Sequence, residues 1–280
     1  MDSCTREVVD SNNRQFDRVV DLFHAVLGEH FHWGYFVEGT TSLRRAQDAL
    51  IDELLSLTSI QPSSKVLDVG CGIGGTVRYI SQRHGCAAVG ITNNERSLAL
   101  AGKLNGAQDT SRGVTFALAD ALDNGFPDES VDIALMIEAA YMIPDKRSLL
   151  AENRRVLKPG GTLLVCDNMA GRALSPKEMF KFHREIFAMK EIFGEGTYES
   201  LEGYSNLAHE ARFREVSTFD FSTKVTPTIE HVVSTVRDQR DELLKMFRSQ
   251  EVDNWLKTWT FTSYLCQNGA SGYGVLRAVK

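Results

Sequence analysis

The densest concentration of chemically useful residues is the run Val66-Leu67-Asp68-Val69-Gly70-Cys71-Gly72-Ile73-Gly74-Gly75. It reads as a buried strand, a tight turn and the N-terminus of a helix. Glycines there let the backbone bend and let a ligand come close. Free N–H groups and the helix dipole favour a negative group at such a point. A ligand belongs at the carboxyl edge of the sheet, beside the topological switch point. Gly70, Gly72 and Gly75 also satisfy G-x-G-x-x-G, the spacing of a dinucleotide fingerprint. Two features weigh against a phosphate ligand. Asp68, near the strand's end, suits a cationic partner better than a pyrophosphate, and no basic side chain lies in the loop. Backbone N–H groups could still serve phosphates, so the loop alone leaves both ligands open.

The elements around this loop follow from periodicity. Phe16, Val19, Val20, Phe23 and Leu27 fall at helical spacing within 12–27, and the aromatic stretch 31–36 follows. Thr41 or Ser42 caps a second helix whose apolar face is Leu43, Ala46, Leu50 and Leu54. Strands are expected at 66–69, 87–91, 114–119, 131–137 and 162–166, with helices at 76–83, 95–105 and 146–156 and a Lys-Pro-Gly-Gly turn at 158–161. Such alternation implies parallel pairing through right-handed crossovers. After Asp167 the rhythm breaks. The stretch 175–213 reads as helical and aromatic-rich, 215–225 as a long strand, 228–248 and 252–265 as helices, and 272–279 as a final strand. The whole is an α/β core with a helical cap between its fifth and sixth strands.

Composition excludes several classes. With 42% hydrophobic and 24% charged residues, the 280-residue chain can bury a sizeable core. Its net charge of −6 and the absence of a basic stripe argue against nucleic acid. Arg44-Arg45 and Arg154-Arg155 are short pairs on helix faces. Cys4, Cys71, Cys86, Cys166 and Cys266 are scattered and show no CxxC spacing, which argues against zinc and disulfides and for a reducing compartment. The polar start, Met1-Asp2-Ser3-Cys4, is no signal peptide, and no run approaches the ~20 apolar residues that span a bilayer. These readings predict a cytoplasmic protein.

Taken together, VLDVGCGIGG at 66–75, ALAD at 117–120, FPDESVDIALMIEAAYMIPD at 126–145 and RRVLKPGGTLLVCD at 154–167 resemble the ordered motifs of class I S-adenosylmethionine-dependent methyltransferases. HFHWGYF at 30–36, GITNN at 90–94 and the tail SGYGVLRAVK resemble bacterial small-molecule members, the rebeccamycin-type sugar O-methyltransferases and, more widely, tocopherol and sarcosine/dimethylglycine methyltransferases. The resemblance is good over 30–167 and loose over 215–280. It implies a Rossmann-like methyltransferase fold: a doubly wound, mostly parallel seven-stranded α/β sheet with N-terminal helices. It also implies four segments. Residues 1–60 close over the cofactor, 61–167 bind it, 168–214 form an acceptor lid, and 215–280 complete the sheet.

The resemblance carries roles for residues. Asp68, Gly70, Cys71, Gly72 and Gly74 would hold the methionine half of S-adenosyl-L-methionine. Asn93 and Asn94 stand where many members have an acid for the ribose hydroxyls, and an amide can also pair with a hydroxyl. Asp120, with Ala121, would meet the adenine amino group. Trp33 and Tyr35 would close over the cofactor, where aromatic faces suit a sulfonium. Rebeccamycin-type enzymes use a histidine base near the fourth strand's end. Here Glu138, Tyr141 and Met142 occupy that stretch, so Glu138 or Asp167 is expected to handle the proton, with Tyr141 and His32 as further catalytic candidates. Tyr35, Tyr141, Phe187, Phe193, Tyr198 and Tyr204 are expected around the acceptor, with Phe180 in the same aromatic stripe; His183 and His209 are expected in solvent.

The expected reaction is methyl transfer to an oxygen or nitrogen of a small molecule, a specialised metabolite, with no metal. The partners expected are that acceptor, neither nucleic acid nor membrane, and room for a homo-oligomer. Methylation of a prenyl-type carbon with Glu138 as base is the first alternative. A nicotinamide oxidoreductase and a binding protein that keeps the site only for structure come after it.

Overall fold

A computed structural model describes residues 3–107 and 113–280, with side chains from residue 11 onward. Cys4 and the first residues therefore lie outside the described side chains. Helix α1 (Ser3–Leu27) and α2 (Leu43–Ser56) precede the core. Ser42 caps α2, its Oγ accepting from the Arg45 amide at 3.3 Å.

The core then alternates as expected: β1 (Lys65–Val69), α3 (Gly75–His84), β2 (Ala87–Thr92), α4 (Glu95–Ala107), β3 (Val114–Leu118), β4 (Val131–Ile137), α5 (Lys146–Val156) and β5 (Leu157–Ala170). After β5 come α6 (Pro176–Lys181), α7 (His183–Phe193), α8 (Leu201–Glu210), β6 (Glu215–Asp220), α9 (Ser222–Val225), α10 (Pro227–Asp238), α11 (Arg240–Met246), α12 (Ser249–Gln267) and β7 (Ser271–Val279). The strands form one seven-stranded sheet ordered β3-β2-β1-β4-β5-β7-β6, the fold expected from the motifs. Among the described strands, β7 alone runs antiparallel, against both β5 and β6. The chain order reverses between β1 and β4, so the carboxyl ends of these strands flank the switch-point crevice.

The sheet is covered on both faces. Val66, Leu135, Leu164 and Val275 join one apolar cluster with α1, α2, α10 and α12. Leu67, Val69, Leu163 and Leu276 join the other with α5 and α8. Each such side chain, fully buried, stabilises the fold by roughly 1.5–3 kcal/mol, which explains the apolar runs 133–137 and 163–166 in the central strands.

Three expectations about elements are corrected. The Lys-Pro-Gly-Gly turn does not precede β5; it is a bulge within it. Val131 pairs with Leu157 and Ile133 already pairs with Thr162, with Gly160 at φ +80° in between. The strand expected at 215–225 stops at Asp220, because Asp220 Oδ1 accepts from the Ser222 amide at 2.8 Å and turns the chain into α9. The helix expected at 228–248 is two, α10 and α11. No described helix is long and apolar enough to cross a membrane.

Candidate functional site

The glycine run folds as a strand, a turn and a helix, and its shape explains the residue types. Gly70 (φ +84°), Gly72 (φ +51°) and Gly74 (φ +83°) all occupy the left-handed region. A Cβ on Gly70 would also lie 2.4 Å from the Ala139 Cβ at the end of β4, and one on Gly75 would lie 2.2 Å from the Glu29 carbonyl oxygen. Arg78, almost wholly buried on α3, braces the turn by donating to the Ile73 carbonyl at 2.9 Å and the Glu29 carboxylate at 2.8 Å. Nothing in the sequence reading singled out this brace.

Above the turn lies a compartment of about 610 Å³ walled by Phe31, His32, Asp68, the glycine loop, Glu138 and Tyr141. Asp68 is buried, and among the described residues no group donates a hydrogen bond to its carboxyl. Burial alone pushes it up to about 7. A buried carboxyl without a donor is costly unless a cationic ligand completes it. The positively charged ammonium of a methionine moiety fits this demand, and a pyrophosphate does not.

A second cleft, about 790 Å³, continues from Gly70 and Gly72 past Asn93 and Asp120. Asn93 and Asp120 are exposed and line it, together with Ala121. Helix α1 roofs it with Asn12, Asn13 and Phe16. Asn12 latches α1 to the loop after α7: its Oδ1 accepts from the Glu195 amide at 2.9 Å, and its Nδ2 donates to the Glu195 carbonyl at 3.0 Å. Asn94 also borders the cleft, but its side chain is occupied. It caps α4, accepting from Ser97 N at 2.7 Å, and donates to Asp17 on α1 at 2.8 Å. Asn93 is therefore the free amide of the pair.

A third cavity, about 1120 Å³, opens on the other side of Glu138. Trp33, Tyr141, Phe193 and Tyr198 wall it. Tyr141 and Tyr198 stack in parallel planes with centroids 5.5 Å apart. The aromatic residues expected around an acceptor do not all come here. Tyr35 packs edge-on against Phe221 at 5.0 Å, away from the cavity. Phe187 is 63% exposed on the outer side of α7, and Phe180 on α6 is exposed as well. Tyr204 is buried beneath the sheet with α5 and β7. Helical spacing shows that a residue shares a face, but not which neighbour that face meets.

Glu138 sits where the compartments meet. It is a non-glycine residue at φ +53°, a conformation that costs about 1–3 kcal/mol and clusters at functional sites. Its Oε1 accepts two hydrogen bonds, from the Trp33 amide at 2.6 Å and from the Tyr273 hydroxyl at 2.7 Å. Burial pushes its carboxyl up to about 8, against the pull of those two donors. Trp33 in turn stacks on Tyr273, 5.5 Å between centroids. Tyr273, from the last strand, escaped the sequence reading.

Asp167 takes a different place from the one expected. It is fully buried, lines none of the three cavities, and has both oxygens occupied: Oδ2 accepts from Tyr141 N and Oδ1 from Asn168 N, each at 2.7 Å. Through the Tyr141 amide it is fastened to the turn after Glu138. His32 is buried, with Nδ1 2.7 Å from the Trp33 carbonyl oxygen. Since a carbonyl only accepts, Nδ1 carries the proton and Nε2 presents an unpartnered lone pair. Burial depresses the ring to about 3, so it is neutral.

Sheet order, glycine turn and switch-point cleft define a Rossmann-like methyltransferase fold. Residues 67–165 match the methyltransferase domain family. Over 228 residues the chain is 31% identical to a "Probable tocopherol O-methyltransferase, chloroplastic" of Oryza sativa subsp. japonica, covering 76% of this chain and 62% of that protein. It thus spans about three-fifths of that relative's length. Over 278 residues it is 24% identical to the 27-O-demethylrifamycin SV methyltransferase of Amycolatopsis mediterranei, covering 99% of both. Among solved structures, a cyclopropane synthase of Mycobacterium tuberculosis shares the fold at TM-score 0.85 and 21% identity, over 97% of this chain and 98% of that one. Residues 67–165 thus carry a methyltransferase domain, and the chain as a whole is similar to methyltransferases of small molecules. None of these relatives is named as a nicotinamide oxidoreductase.

Proposed function

We propose that the chain methylates an oxygen or nitrogen of a small specialised metabolite with an apolar body, using Glu138 as the base. One observation carries this reading: the same carboxyl lines the glycine-loop compartment and the aromatic cavity. When bound, S-adenosylmethionine supplies an electrophilic methyl carbon on a positively charged sulfur. Asp68 and the loop amides would hold its methionine end, Asn93 the ribose and Asp120 the adenine. A positive charge in this compartment favours the ionised forms of Asp68 and Glu138. Glu138, anchored through one oxygen, then has the other available for an acceptor proton. Tyr141, Trp33 and Phe193 exclude water and orient the acceptor, the kind of positioning that lowers barriers by roughly 7–11 kcal/mol in favourable cases.

The relatives named above act on a tocopherol and a rifamycin, and a third, 29% identical over 224 residues, is an ajmaline N-methyltransferase of Rauvolfia serpentina. These names support a specialised metabolite as acceptor. Carbon methylation of a prenyl-type substrate would use the same carboxyl against a carbocation, so the two readings separate on products. Incubation with methyl-labelled donor and a panel of alcohols, phenols, amines and prenyl diphosphates tests the proposal. Label on oxygen or nitrogen, lost in Glu138→Gln, supports it. Label appearing only on carbon, or undiminished turnover in Glu138→Gln, contradicts it.

A further inference from the structure

The aromatic cavity has a charge inventory that selects among acceptors. Two ionisable side chains of opposite sign line it, Glu138 and Arg172. Arg172 is already committed. It donates to the Asn268 carbonyl at 2.8 Å, to the Ala173 carbonyl at 3.1 Å and twice to the Glu178 carboxylate, at 3.1 and 2.6 Å. Glu178 is itself held by Ser175 and by the Tyr264 hydroxyl. The guanidinium is thus neutralised by a fixed carboxylate and has little left for an anion. The other polar lining groups include the side chains of Asn168, Thr262 and Ser271, which are uncharged. Against this stand Glu138 and the faces of Trp33, Tyr141, Phe193 and Tyr198. Among the described residues no cluster of three or more His, Cys, Asp or Glu could hold a divalent cation to bridge a diphosphate.

From this juxtaposition we infer that the acceptor is an amine on an apolar body, arriving as its ammonium, and that phosphorylated and diphosphorylated acceptors are rejected. This deepens the proposed function and rests on it. Aromatic faces attract a cationic nitrogen through their quadrupoles, most strongly where water is excluded. A carboxylate at the inner end completes its charge. The proton follows the same geometry: an N–H bond of the ammonium breaks, an O–H bond forms on the Glu138 carboxylate, and the nitrogen keeps the electron pair it needs as a nucleophile. The raised proton affinity of buried Glu138 suits it to take that proton. A diphosphate would bring charge of the wrong sign beside a carboxylate, with no free base to offset it.

A pair of probes of equal length and opposite charge tests this without turnover. The protein saturated with S-adenosylhomocysteine is titrated calorimetrically with octyltrimethylammonium and with octyl sulfate, both below their micelle concentrations. The ammonium should bind tighter by about tenfold or more. Glu138→Gln should bring the ratio close to one. In the wild type, lowering the pH from about 9 to about 6 should shrink it as Glu138 takes a proton. Octyl sulfate, or geranyl diphosphate in the same assay, binding as tightly as the ammonium would overturn the inference. Failure of S-adenosylhomocysteine itself to bind would instead overturn the reading beneath it.

Discussion

Tyr273, on the last strand, donates its hydroxyl hydrogen to Glu138 Oε1 at 2.7 Å, joining residues 135 positions apart in the chain. The bond fixes the carboxyl at the end of β4 and is one of two that favour its ionised form. Removing it in Tyr273→Phe leaves burial unopposed by one donor. The Glu138 pKa should rise, so the acid limb of the kcat profile should move to higher pH. The rate at neutral pH should fall by roughly tenfold, about one lost hydrogen bond to a charged group. A full pH–rate profile of the variant checks this, and an unshifted limb would show that Glu138 does not set it.

The protein without cofactor should lose stability as pH rises from about 6.5 to 8. Glu138 is raised to about 8, and Asp68 and Asp167 to about 7, each above its ordinary carboxylate value. A raised folded-state pKa favours folding at low pH, and that contribution fades as pH passes through it. His30 and His32, both depressed below 6.5, oppose this trend only on the acid side of 6.5. Lys146, depressed to about 8, enters above the window. Thermal melts across the window should therefore fall, and S-adenosylhomocysteine should restore more stability at pH 8 than at 6.5. A melting temperature that climbs with pH over that range would contradict the assigned burial.

Gly70→Ala should both strain the turn and push β1 from β4, since the new Cβ would meet the Ala139 Cβ at 2.4 Å in a left-handed residue. A destabilisation of about 1–3 kcal/mol is expected, with loss of S-adenosylhomocysteine binding by tenfold or more, on the order of the effect of one misplaced contact. Calorimetry and chemical denaturation on the same sample separate the two. Gly85→Ala, at a helix end with nothing within 4 Å, is the control that should keep the affinity.

Two aromatic residues read alike in sequence should behave differently. Tyr198→Ala opens the wall of the acceptor cavity and should raise the acceptor KM about tenfold or more. Phe187→Ser removes an exposed ring from the far side of α7 and should leave KM unchanged. Steady-state kinetics of both variants make the comparison.

Much of this was legible in the chain itself. The strand–glycine–helix run around Asp68 dictates its own shape, because only glycine takes the turn's three positive φ angles cheaply. Apolar strands separated by amphipathic helices likewise dictated the parallel core. What escaped was set by partners far away in sequence. Whether Asn93 or Asn94 is free depends on Asp17 of α1. Whether Asp167 reacts or holds depends on which amides reach it. Tyr204 and Tyr198 carry the same side chain, yet one meets the underside of the sheet and the other the cavity. Strand ends were blurred for a local reason, since Lys158–Gly161 has a turn's residues and is absorbed as a bulge.

The most direct test of the account is a calorimetric titration of the wild type and of Asp68→Asn with S-adenosylhomocysteine and with NADH. The account predicts that S-adenosylhomocysteine binds the wild type, more tightly as pH rises from about 6 to 8 and Asp68 ionises. It also predicts a loss of about tenfold or more in Asp68→Asn, the scale of one buried charge pair, and no saturable binding of NADH. Saturation by NADH with the sulfur ligand excluded, or equal affinity of both proteins at every pH, would contradict it.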